Sequence, residues 1–159
     1  MRYLLIDRIE YLEANKFIRA LKSVALSEDV FHDHFFGYPV MPGALLIESL
    51  AQAGTALLEY STEFKKKAYL VMVEQAKFRK MVRPGDQLSV SGTLLSVSQN
   101  AAQMDGEIHV ADKRVMDARL TFALDDADRF YPVKMRPFVE AIYDVWLEDT
   151  EFKNDKGIK

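Results

Sequence analysis

The sequence predicts an α+β fold in which a curved antiparallel sheet wraps one long, central, apolar helix. Three observations lead there. Residues 43–60 have the length and the Ala/Leu content of a helix and are apolar nearly all round, so the helix needs cover on every side. Beyond Lys67 come four strand-like runs, "AYLVMVEQAKF", "QLSVSGTLLSVS", "AQMDGEIHVA" and "RVMDARLTFAL". The segments between them, "RPGD", "QNAA" and "ADKR", are too short for crossover helices, which makes the neighbours antiparallel.

Residues 2–6 read as a short first strand. Residues 17–26, "FIRALKSVAL", alternate apolar and polar for much of their length and read as a second. "SEDVFHDHFFGYPVMPG" holds two prolines and two glycines and reads as a loop, with Pro42 suited to the first turn of the helix that follows. After the four strands, "RPFVEAIYDVWLED" places Phe138, Ile142, Val145 and Trp146 at helical spacing, as in a short amphipathic helix packed on the sheet or on a partner subunit. The final "EFKNDKGIK" is polar and reads as a frayed tail. No repeat, low-complexity tract or linker divides the chain. We expect one domain over 1–125 and a C-terminal extension over 126–159.

The 159 residues suffice to bury a core, and 49% apolar with 28% charged is the balance of a soluble globular protein. The net charge of −3 sets up no field that would make nucleic acid a default partner. With no cysteine there is no disulfide, thiolate nucleophile or Cys-ligated metal. "RYLLIDRIEYLE" is too interrupted by charge for a signal peptide, and the apolar stretch from Ala44 to Leu58 is shorter than a membrane span. The expected setting is cytoplasmic, away from membranes.

Glu48 is the first residue that points to chemistry. It stands among Leu45, Leu46, Ile47, Leu50, Ala51 and Ala53, and in a central helix its carboxyl would be largely desolvated. Burial disfavours the charged form, and a carboxylic acid kept partly protonated near neutrality donates a proton. Gln52 lies one turn on and can fix its rotamer. At the helix start, the Gly43 amide has the positive end of the helix dipole behind it and can polarise a carbonyl oxygen. A neutral histidine completes the set as base, and either His32 or His34 fits. Base, amide and acid are what removal of water beta to a carbonyl needs. "HDH", with Asp33 and His109, is a weaker metal reading without a fixed third ligand. The basic stretches "FKKK" and "KFRKMVR" are solvated faces or a dock for an acidic carrier protein.

The block "HFFGYPVMPGALLIESLAQAG" resembles the pattern H-F-x-G-x-P-x-x-P-G, then an apolar helix with an acid and a glutamine, of FabZ-type 3-hydroxyacyl-acyl-carrier-protein dehydratases. "LLIDRIEYLE" and "FRKMVRPGDQL" extend the resemblance to about residues 3–124. It implies the hotdog fold, with His34 rather than His32 as catalytic histidine and Glu48 as catalytic acid. Gly43 would bind the thioester carbonyl, Gln52 would support Glu48, and Tyr69 would stand near the mouth of the acyl tunnel. It further implies a substrate on the phosphopantetheine of acyl carrier protein, with no metal or other cofactor. It also implies a homodimer in which His34 of one copy meets Glu48 of the other, with three such dimers commonly stacked. Phe36 stands where FabZ-type members carry proline, and the expectation is that it narrows or redirects the acyl pocket. The FabA type also lacks that proline and carries "PVMPG", but has aspartate in place of Glu48. A hotdog thioesterase and a non-catalytic acyl-binding regulator are the alternatives.

Overall fold

The computed structural model describes residues 3–153. In chain order these form strands β1 (Arg8–Glu13) and β2 (Phe17–Ser23), helix α1 (Gly43–Ser61), strands β3 (Lys66–Phe78), β4 (Gln87–Val97), β5 (Ala101–Val110) and β6 (Lys113–Asp126), helix α2 (Arg136–Leu147) and strand β7 (Glu151–Lys153). The seven strands make one sheet in the order β3-β6-β5-β4-β2-β1-β7. Every pairing is antiparallel except that of β7 on β1.

Helix α1 lies against β2, β3, β4, β5 and β6, as a helix apolar all round requires. The sheet meets it with one face of each strand. On β6, Met116, Ala118, Leu120, Phe122 and Leu124 are buried at every second position, and β5 repeats the pattern with Ala102, Met104 and Ile108. From the helix come Leu46, Leu50, Leu57 and Leu58, all buried. Each such side chain contributes roughly 1.5–3 kcal/mol by leaving water. Contact is closest at Gly54, where a Cβ would lie 2.5 Å from Phe122 Cζ. A side chain there would push helix and sheet apart.

Four sequence expectations need correction. Residues 3–6 are not a strand; residue 2 lies outside the described residues. Side chains satisfy that backbone instead: Leu5 N–H donates to Gln52 Oε1 at 2.8 Å, and Trp146 Nε1–H donates to the Ile6 carbonyl at 3.1 Å. The first strand is β1, whose charges Arg8 and Glu10 hid an inward Ile9 and Leu12. The second strand stops at Ser23, where the chain turns toward the loop. Finally, β3 pairs with β6 and not with β4, so the connection of residues 79–86 crosses the sheet rather than closing a hairpin.

The C-terminal helix forms as expected, but its inward face differs. Tyr143 and Trp146 are buried, while Phe138 and Val145 are 68% and 63% exposed. Glu151–Lys153, read as tail, pairs along β1 and covers that edge of the sheet. The remainder of the tail, 154–159, lies outside the described residues. Among the described residues, no helix is long and apolar enough to cross a membrane.

Candidate active site

The loop before α1 is held at both ends. At its start, Glu28 Oε1 accepts from Lys22 Nζ at 3.0 Å and from Ala25 N–H at 3.1 Å. A 3-10 turn over Asp29–His32 then buries Phe31 in the core. At its end, Met41 N–H donates to the Val82 carbonyl at 2.8 Å. Between these anchors the loop folds on itself, and Val40 N–H donates to the His34 carbonyl at 3.0 Å.

That fold fixes His34. Its ring stacks on Phe35, with centroids 4.1 Å apart, and its Nδ1 is 2.8 Å from the Val40 carbonyl. A carbonyl only accepts, so Nδ1 carries a proton, and in the neutral ring Nε2 is the nitrogen left to act as base. His34 is therefore a half-buried imidazole held by its own loop through Nδ1. His32 makes the same kind of bond to the Asp29 carbonyl, at 3.1 Å, but is exposed.

Gly43 begins α1, where the first amides have no partner inside the helix. The need for glycine has a packing cause: a Cβ would lie 2.8 Å from Phe78 Cε1. One turn on, Glu48 is half-buried rather than enclosed, contrary to the expectation of a desolvated carboxyl. Its Oε1 accepts from Gln52 Nε2 at 2.9 Å. Gln52 in turn clasps the N-terminal segment, donating to the Tyr3 carbonyl and accepting from Leu5 N–H, each at 2.8 Å. The Glu48 rotamer is thus tied to the chain's first described residues.

Glu48 opens onto a cleft between α1 and β3 that Gln52 and Tyr69 also line. Neither His34, Gly43 nor Phe36 lines it, and among the described residues no hydrogen bond joins His34 to Glu48. Phe36 is 96% exposed and stands clear of this cleft. Tyr69 is partly exposed, its ring 5.5 Å from that of Phe130. No three metal-ligating side chains come together among the described residues.

The enclosed acid of α1 is one the sequence reading passed over. Glu59 is 2% exposed and lies on the floor of the same cleft. Its Oε1 is 2.6 Å from Lys67 Nζ and accepts from Ala68 N–H at 3.4 Å, and its Oε2 accepts from the Tyr143 hydroxyl. Burial, then the Glu59 charge, raises Tyr143 well above the ordinary tyrosine value. Burial pulls Lys67 down, but the charge and hydrogen bond of Glu59, with Tyr131, outweigh it and hold the ammonium above its usual value. The available signal was the i, i+11 spacing of Glu48 and Glu59, which puts both on one helix face.

Known proteins bear on this geometry in two ways. Solved structures share the fold at low identity. The dehydratase heterocomplex ApeI:P from Xenorhabdus doucetiae aligns at TM-score 0.65 and 14% identity, over 86% of this chain and 90% of that one. A hot-dog-like protein from Thermanaerovibrio acidaminovorans aligns at 0.61 and 15%, over 78% and 89%. In sequence, the 3-hydroxyacyl-acyl-carrier-protein dehydratase FabZ of Pediococcus pentosaceus is 43% identical over 127 residues, 79% of this chain and 85% of that protein. The model of the FabA-like domain matches residues 1–119, from the N-terminal segment that Gln52 clasps through the first half of β6. By that match and that identity, the chain belongs to the FabA-like family, among its FabZ-type dehydratases, and has the hotdog fold.

Proposed function

We infer that this protein dehydrates 3-hydroxyacyl thioesters on acyl carrier protein to trans-2-enoyl thioesters, as in fatty-acid biosynthesis. The observation that carries the reading is the pair of prepared groups: His34 with Nε2 free to accept, and Glu48 held by Gln52 at the mouth of a cleft. Nε2 of His34 removes the proton alpha to the thioester carbonyl. The Gly43 amide donates to the carbonyl oxygen as charge develops there. Glu48 gives its proton to the 3-hydroxyl, which departs as water as the double bond forms. Tyr69 lines the acyl path.

The two groups act from different copies. Strand β3 is an open edge of the sheet, and it exposes Tyr69, Val71, Met72, Val73 and Phe78. A long apolar edge invites a second strand. Pairing it with the β3 of a second copy makes a two-fold homodimer that covers Glu48 and brings His34 of the other chain toward it. Lys80 and Arg83, exposed beside the histidine loop, offer the acidic carrier a dock, with the Arg83 guanidinium 4.4 Å over the Tyr38 ring.

The test is incubation with 3-hydroxyacyl- and 2-enoyl-carrier thioesters, followed by mass spectrometry. Gain and loss of one water mass, abolished in His34→Ala, is the expected result. Release of free carrier thiol from a saturated acyl thioester, without water exchange on the hydroxyacyl substrate, would instead make the protein a thioesterase.

A further inference from the structure

We propose that α2 is a specificity element: its inward face ends the acyl path and sets the chain length accepted. This deepens the dehydratase reading and rests on it. The cleft that opens at Glu48 follows one face of α1 through Gln52 and Thr55 to Glu59. At a rise of about 1.5 Å per residue that is a run of about 16 Å. Ala51 and Ala68 line the walls, and small side chains leave room for a guest. At the Glu59 end the cleft meets Tyr143 of α2, and Val139, Ile142 and Trp146 of the same helix line it. Tyr143 and Trp146 are anchored by hydrogen bonds to Glu59 and to the Ile6 carbonyl, so this lining face is fixed. The family match stops at residue 119, so this wall lies outside the matched residues.

The same floor identifies the guest's end. Lys67, Glu59, Tyr143 and Tyr131 are polar groups there, and each has its partner within the cluster. Among the described residues of that cluster no charge is left over to pair with a carboxylate or an amine, and a charged chain end would be stranded. What remains for contact is the aliphatic surface of Val139 and Ile142 and the Trp146 ring. An unsubstituted alkyl end fits that surface.

The experiment is a chain-length profile of kcat/KM on 3-hydroxyacyl-carrier substrates for the wild type, Ile142→Ala, Ile142→Phe and the outward-facing Phe138→Ala. Ile142→Ala should raise the long-to-short preference by about tenfold or more, and Ile142→Phe should lower it, since a few methylenes in a pocket are worth that much. Phe138→Ala should match the wild type. A companion measurement uses an acyl-pantetheine thioester with a photoreactive diazirine at the chain end, and maps the label by peptide mass spectrometry. Label on residues 136–147 supports the proposal. Label confined elsewhere overturns it. An Ile142→Ala enzyme of normal turnover and unchanged profile overturns the role of α2 while leaving the dehydratase reading intact. A labelled α2 in a protein that dehydrates no chain does the reverse.

Discussion

Glu48 and Glu59 are the same residue type on the same face of the same helix, three turns apart, and their surroundings make them different chemical objects. Glu59 is enclosed and meets an ammonium, a phenol and an amide. Its partners come from β3 and α2, so it ties three elements together. Glu48 is half-open and meets one neutral amide from Gln52; no cation among the described residues pairs with it. A buried acid paired with a counter-charge is costly to break, because removing either member leaves the other without its partner. An acid positioned by a neutral donor at a cleft keeps its proton chemistry available. On the proposed mechanism the reacting carboxyl is the less buried of the two, and what sets the two apart is the charge of their partners.

The largest expected effects separate the two acids. Glu48→Gln should lower dehydration by roughly 10²–10⁴-fold, the usual worth of a general acid, and leave the thermal midpoint near that of the wild type. Glu59→Ala should cost about 3 kcal/mol, read as a fall of roughly 6–12 °C in the unfolding midpoint. A stable Glu59→Ala protein would break the comparison from one side, and a fully active Glu48→Gln protein from the other.

A smaller effect belongs to Tyr143→Phe, which removes one hydrogen bond to Glu59 and should cost about 1–2 kcal/mol. It also sharpens the pH dependence. Tyr143 and Lys67 are both raised in the folded state, from ordinary values of 10.0 and 10.5. The folded state then holds protons that the unfolded chain gives up, so their contribution is complete below pH 10.0 and is lost as pH rises further. Urea unfolding in alkaline buffers should show a steeper loss for the wild type than for Tyr143→Phe.

Gln52→Ala touches both sides of the comparison modestly. It frees the Glu48 rotamer and the Tyr3–Leu5 segment, so turnover should fall several-fold and stability by about 1 kcal/mol. The smallest effect is expected at Gly43. Gly43→Ala should weaken activity by pressing on the Phe78 ring, and because that ring is half-exposed, Phe78→Ala in the same chain should restore the loss.

The frame of the fold was legible because its elements advertise themselves locally. The apolar run of α1 and the period-two burial of β4, β5 and β6 follow directly from residue order. Loop and helix start were legible from "HFFGYPVMPG". Glu59 was not, because the same greasy neighbours surround both acids, and its partners lie in β3 and, 84 residues away, in α2. The pairing of β3 with β6 and the docking of Glu151–Lys153 on β1 are likewise long-range choices that no local pattern encodes. The helix α2 was legible as a helix, but Tyr143 was not legible as inward, since its place is set by Glu59.

The most direct measurement mixes two inactive variants, His34→Ala and Glu48→Gln, under conditions that exchange subunits, and follows dehydration of a 3-hydroxyacyl-carrier substrate. In a mixed dimer one site keeps both native residues, so the account predicts that activity returns on mixing. Mixed dimers that form, verified by native mass spectrometry, yet stay as inactive as either parent would contradict a site shared between His34 of one copy and Glu48 of the other.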